Sequence, residues 1–385
     1  MLGDGNPQVT FMYNSSTEPF VPQDHPLRGI RPLIDDQAIR KECAPLYAAT
    51  GRPSIPPEQL FLALLGGYLL GIRSDRRLVM EMQCNMALRW FIGLQMTDAV
   101  WDASTFSQNR RRRFDRSGVL ERLFDQTVKK ALEEGLVSRH ASVDGTLVRA
   151  NSSFKSLVPI ELAMDPEEYK RRLRAEDTDD PDEPQDPGNR AVNFRGEKRS
   201  NATHRSSTDP DSRLVSKGTS GTGAYPGYTV NALMENRHRI LLGIAAAIGH
   251  GSTVEEEGGL TLIDRAKRRL RWCLQSTGGD KGYFHVRFIE GLLRRGIEPH
   301  VAPTRQGRRI WHRRVRMRVR GEAYQLSQRC RKKIEELFGE AKDWHGLRRF
   351  RRRGLLRVNQ EALMIGWALN LKRLAKLLVP LPQAT

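Results

Sequence analysis

Ala141-Ser142-Val143-Asp144-Gly145-Thr146-Leu147-Val148 is the stretch on which the reading of this chain turns. Val143, Leu147 and Val148 favour a strand, whereas a carboxylate amid such apolar, β-branched residues is disfavoured unless its charge is compensated. One reading is that Asp144 opens a turn with Gly145. The other is that a divalent metal compensates it. Two further carboxylates must then come from distant parts of the chain, because hard cations such as Mg²⁺ take oxygen ligands and phosphoryl chemistry often uses a pair of ions about 3.5–4 Å apart. Asp280 and Glu335 are the candidates.

Working outward, Tyr228 to Met234 and Ile240 to Ile248, separated by Glu235 to His238, predict an antiparallel hairpin beside the Asp144 strand. A helix follows over Glu255 to Trp272, then Gly278-Gly279-Asp280-Lys281-Gly282-Tyr283, a helix from Phe284 to Leu293, and a short strand from Ile297 to Pro303. Cys273 to Thr277 make a poor strand. The order strand, strand, strand, helix, strand, helix, strand, helix is that of a ribonuclease-H-like α/β fold, with a mixed five-stranded sheet flanked by helices. In such a sheet Asp144 sits on the first strand and Asp280 just past the end of the fourth, two neighbouring positions.

The helix from Gln328 to Trp344 offers three possible third acids, Glu335, Glu336 and Glu340. At about 100° per residue, Arg331 lies one turn before Glu335 and Lys342 nearly two turns after it, so all three share a face that suits a metal-bound phosphate. Registers on Glu336 or Glu340 place an acid or an apolar residue in the flanking positions, so Glu335 fits best. A surface helix with interleaved charges would show similar pairs without any function.

Upstream, Ser54-Ile55-Pro56-Pro57-Glu58 opens a helix through Leu60, Phe61, Leu64, Leu65, Tyr68 and Leu69, and shorter helices follow, capped by Ser74 and by Asp102. The last of these carries Arg110, Arg111, Arg112 and Arg113, which suits a helix-turn-helix-like module gripping a duplex by its phosphates, although four arginines in a row also describe a solvated face. An amphipathic helix from Ser117 to Glu134 then leads to the Asp144 strand. The organisation read from this is a helical DNA-binding domain over 1–137 and a catalytic domain over 138–380. The latter is interrupted at about 156–222 by an acidic, proline-rich insertion that lacks the apolar residues to order itself.

A net charge of +19 calls for a polyanionic partner, and with no apolar run long enough to span a bilayer, DNA is favoured over a membrane. The scattered Cys43, Cys84, Cys273 and Cys330 suit neither a zinc site nor a disulfide framework, and the first residues do not look like an export signal, so a cytoplasmic, nucleoid-associated protein is expected. Arginines from Arg305 to Arg320 and at Arg348, Arg349, Arg351, Arg352 and Arg353 are dense enough to line a phosphate track. Trp311 and Trp344 are either core residues or platforms for an unpaired base.

Val143-Asp144-Gly145-Thr146, Gly279-Asp280-Lys281-Gly282-Tyr283 and Arg331-x3-Glu335-x6-Lys342, together with Thr203 to Leu214 and Leu233-Met234-Glu235-Asn236, resemble bacterial insertion-sequence transposases of the DDE class, in the IS-four/IS-five superfamily and its IS-five-like branch. The resemblance implies that Asp144, Asp280 and Glu335 are catalytic metal ligands and that Arg331 and Lys342 contact DNA. It also implies two Mg²⁺ ions per active site, with Mn²⁺ able to substitute, and double-stranded DNA as partner, both as element terminal inverted repeats and as target. A homodimer is expected, because two ends must be paired before joining. One departure stands out: Gln328 occupies the place where the family usually has a tyrosine. Other readings are a metal-dependent nuclease that cuts without joining and a catalytically silent DNA-binding protein.

Overall fold

The computed structural model describes residues 16–50, 54–160, 193–194, 197–216, 223–304, 315 and 318–379. Among them, six strands form one mixed sheet: β1 (His140–Arg149), β2 (Arg213–Val215), β3 (Tyr225–Glu235), β4 (Leu241–Ala247), β5 (Ser276–Gly279) and β6 (Glu298–Val301). β1 pairs antiparallel with β3 on one side and parallel with β5 on the other, and β6 runs parallel to β5. Beyond β3, one edge is shared by β4 and β2, both antiparallel to it. The sixth strand corrects the expected count of five.

β2 also changes the picture of the insertion. Leu157–Pro159 pairs with His204–Ser206, Asn193–Phe194 pairs with Glu197–Lys198, and Arg213–Val215 joins the main sheet, so the flanks of the 156–222 segment are built into the fold. Its most acidic part, Glu176 to Pro184, lies outside the described residues. The ordering combines buried Leu157, Leu214 and Val215 with buried polar residues. Asp209 is fully buried, accepting from the Tyr228 hydroxyl at 2.7 Å and the Gly354 amide at 3.0 Å, while Asp211 accepts from the Leu355 amide at 2.8 Å. The two aspartates satisfy orphan amides at the start of the last helix, a task the composition of the segment does not announce.

The helical region begins with short elements. Ser74 and Asp102 cap as expected, accepting from Arg77 N at 3.3 Å and Ser104 N at 2.7 Å. The helices that build the core and the sheet crossovers are α1 (Pro57–Leu69), α2 (Val119–Glu133), α3 (Ser252–Leu270), α4 (Val286–Arg294), α5 (Glu322–Trp344) and α6 (Leu355–Leu378). α3 and α4 are the crossovers that keep β1, β5 and β6 parallel, and α3 packs on β3, β4 and β1. α5 crosses β1, β5 and β6. α6 packs against β4 and also against α1 and α2, so the helical region and the sheet share one continuous core. Asn370 of α6 caps the outer side of β4, accepting from Leu241 N at 2.8 Å and donating to Leu241 O at 2.9 Å, and Asn359 does the same for Ala246. Those bonds close an edge that would otherwise be open to pairing. No described helix is long and apolar enough to cross a membrane.

Candidate active site

Alternation along β1 sets the site. Val143 lies by Gly259 of α3, so odd-numbered positions face that helix; Ser142 lies near Gly278 and Ser327, and the Thr146 hydroxyl accepts from Lys342 Nζ, so even-numbered positions face α5. Asp144 belongs to the second set. β5 runs in register beside β1, with Ser142 opposite Gly278 and the strand ending at Gly279, which brings the next residue, Asp280, level with Asp144. Asp280 caps the following turn, Oδ1 accepting from Gly282 N at 2.8 Å, and Asp144 Oδ1 accepts from its neighbour Gly145 N at 2.9 Å.

Burial pushes the Asp144 carboxyl up to about 7, and the Asp280 charge adds to that rise; the Gly145 amide and Arg331 oppose it, and Glu255 pushes it further up. Two sequence-distant carboxylates are therefore close enough to repel in a partly desolvated place. Hard oxygen donors in mutual repulsion are the right chemistry for a divalent cation. Among the described residues, however, no three His, Cys, Asp or Glu side chains converge as a ready metal cage.

α5 supplies the remainder. Arg331 is in electrostatic contact with Asp144 and forms an ion pair with Glu335 at 3.0 Å. Glu335 itself is 57% exposed, turned to Arg331 rather than inward. Of the three acids considered on this helix, Glu336 pairs with Arg239 at 2.7 Å and Glu340 is bound to Lys372, so Glu335 is the one held beside Arg331. Gln328 donates to the carbonyls of Gly279 and His300, tying α5 to the ends of β5 and β6. The residue that stands in the place of a family tyrosine is thus a structural tie.

A fourth acid was not foreseen. Glu255, in the first turn of α3, lies directly over Gly145: a Cβ on that glycine would come within 2.8 Å of Glu255 Cγ and 3.1 Å of Oε1. Burial, then Asp280 and Glu256, push the Glu255 carboxyl up to about 7. The sequence signal was there in Glu255-Glu256-Glu257 opening a helix, but such a run reads first as complementing the helix dipole. Nearby is Tyr283, whose buried hydroxyl has no hydrogen-bond partner among the described residues and is raised well above its ordinary range by burial and by the charges of Asp144, Glu255 and Asp280.

The arginines divide into two kinds. Arg110 is ion-paired with Asp75, and Arg113 bonds Asn109 and stacks on Tyr47 at 4.3 Å, while Arg111 and Arg112 are exposed. Arg348, exposed, pairs with Asp343; Arg349, exposed, lines a groove with Arg149. Arg351 lies on the Tyr68 ring at 4.4 Å and bonds Glu361, and Arg352 pairs with buried Asp115, so these two fasten the helical region to α6 instead of lining a track. Arg305, Arg308, Arg309, Arg313, Arg314, Arg316 and Trp311 lie outside the described residues. Trp344 is 70% exposed, which removes it from the core.

Two family models match the chain and both describe transposases. Residues 136–371 match the family model described as a transposase DDE domain, and residues 15–112 match a second described as a transposase domain (DUF772). No curated protein matches the chain. A solved structure described as the piggyBac transposase synaptic complex with hairpin DNA aligns at 10% identity and a TM-score of 0.40, covering 90% of this chain and 74% of that one.

Proposed function

Because the chain belongs to the transposase DDE-domain family, we propose that Asp144, Asp280 and Glu335 are the catalytic acids with which it carries out DNA transposition. The observation that carries the assignment is the parallel register of β1 and β5, which sets Asp144 and Asp280 side by side next to Arg331. The strand order, with β1 between one antiparallel neighbour and one parallel neighbour and a second parallel strand beyond the latter, supports a ribonuclease-H-like reading of residues 138–380, preceded by a helical DNA-binding region over 1–137.

In this reading the three acids hold two divalent cations, Mg²⁺ by preference. When bound, the cations supply Lewis-acid stabilisation of the phosphodiester undergoing in-line attack. Arg331, flanking Asp144, positions a phosphate oxygen, and Lys342, beside Thr146, holds the backbone further along the same face of β1. Glu335 must turn from Arg331 toward the aspartates when DNA arrives, since phosphate competes for the guanidinium. Exposed Arg111, Arg112, Arg348 and Arg349, with Arg110 and Arg113 behind the first pair, contribute phosphate contacts to the element ends and to the target. Two subunits pair the ends on the nucleoid.

The test is an assay on labelled element-end DNA with Mg²⁺ that resolves cleaved from joined products. The proposal predicts both, and loss of both in Asp280→Asn. Cleavage without any joined product would instead identify a nuclease, and wild-type activity in Asp280→Asn would remove that residue from the centre.

A further inference from the structure

Glu255, Glu256 and Glu257 open α3 together, yet their surroundings differ. Glu256 has His285 at 3.9 Å and Glu257 has Arg287 at 2.7 Å. Glu255 has no ion-pair partner among the described residues, and the charges acting on it, those of Asp280 and Glu256, are both negative. A glutamate serving only the helix dipole would gain as much at the exposed surface as between other acids. Its approach depends on the bare Cα of Gly145, since any side chain there would collide with Cγ, Cδ and Oε1 of Glu255. An independent feature points into the same place. The Tyr283 hydroxyl, on a side chain that is 1% exposed, is a donor with no partner among the described residues, within electrostatic reach of Asp144, Glu255 and Asp280. Buried donors of this kind are normally satisfied.

We propose that Glu255 is a fourth carboxylate of the divalent-metal centre, reaching Asp144 and Asp280 over Gly145 from the side of the sheet opposite α5. The inference rests on the reading of Asp144 and Asp280 as metal ligands and extends it. Glu255 approaches from α3 and Glu335 from α5, so the pair of aspartates lies between two glutamates, one fixed by packing on a glycine and one on an exposed helix face. The first is in place before DNA arrives; the second comes with it. Accordingly, cation binding to the DNA-free protein relies on Glu255 and little on Glu335.

The experiment titrates the metal-free full chain with Mn²⁺, following free Mn²⁺ by electron paramagnetic resonance, with no DNA and no turnover. Glu255→Gln is expected to weaken the tightest site at least tenfold, about 1.4 kcal/mol. Gly145→Ala, which displaces the carboxylate without changing the charge, should do the same, while Glu257→Gln leaves that site within threefold of wild type. Should Glu255→Gln fail to fold by circular dichroism, Glu255→Asp, which withdraws the charge by one methylene, decides by the same tenfold criterion. Wild-type Mn²⁺ affinity in the Glu255 variant, with affinity lost in Asp280→Asn, overturns this inference alone; wild-type affinity in both overturns the metal-centre reading beneath it.

Discussion

Arg331 holds Glu335 at 3.0 Å while its charge also acts on Asp144, so one guanidinium links the helix acid to the strand acid. Removing it should cost phosphate positioning and the ordering of Glu335 together. Arg331→Ala is expected to lower single-turnover cleavage by about 100-fold, the scale of losing one preorganised charge contact. Arg331→Lys, which keeps the charge but not the planar fork, should recover only part of that. A rate within threefold of wild type in the alanine variant would show that Arg331 does not position the reacting group.

Asp144 is a partly buried carboxylate facing other acids, an arrangement that opposes folding until a cation is present. The metal-free Asp144→Asn variant should therefore melt about 1–2 °C above the metal-free wild type, the shift expected of about 1 kcal/mol in a chain of 385 residues with one core. Added Mg²⁺ should stabilise wild type and leave the variant unchanged. Differential scanning calorimetry in chelator and in Mg²⁺ tests both halves; a variant that melts lower than wild type in chelator contradicts the account.

Glu340 is held by His345 and Lys372, which bring its carboxyl down to about 2 from an ordinary value near 4.5. Because the folded-state value is depressed, the stabilisation is fully present above pH 4.5 and is lost as pH falls toward 2. Denaturant titrations between these limits should show a steeper loss in wild type than in Glu340→Gln. Parallel slopes would mean that the carboxylate contributes nothing to the joint between α5 and α6.

Asp209 bonds both Tyr228 on β3 and the Gly354 amide at the start of α6. Asp209→Ala leaves a buried hydroxyl and a partly buried amide without an acceptor, and should reduce unfolding free energy by about 2–4 kcal/mol in a urea titration. A loss below about 0.5 kcal/mol would show that the 204–215 segment is an ornament on the core rather than its clasp.

The sequence made some elements readable and hid others for physical reasons. β1, β3 and β4 follow from β-branched and apolar runs, and α2 and α5 from their periodicity. β5 was hard to see because Ser276-Thr277-Gly278-Gly279 has little strand propensity; a Cβ at Gly278 would press on Ser142 and Ser327, so close packing, not propensity, chose those residues. The flanks of the insertion were misjudged because Asp209 and Asp211 look like solvated acids until the helix amides they serve are known. The neighbouring positions of Asp144 and Asp280 were legible from the expected strand order, and their proximity is a matter of register. Glu255 was not, since its closeness to Gly145 links positions more than a hundred residues apart with no local signature.

The most direct measurement of the central claim is single-turnover cleavage of element-end DNA in Mg²⁺ by wild type, Asp144→Asn, Asp280→Asn and Glu335→Gln, each first shown to bind the DNA as wild type does. The account predicts that all three variants bind and that each cuts at least about 1,000-fold more slowly, the range expected when a catalytic group is lost outright. Any one of them cutting at the wild-type rate would contradict it.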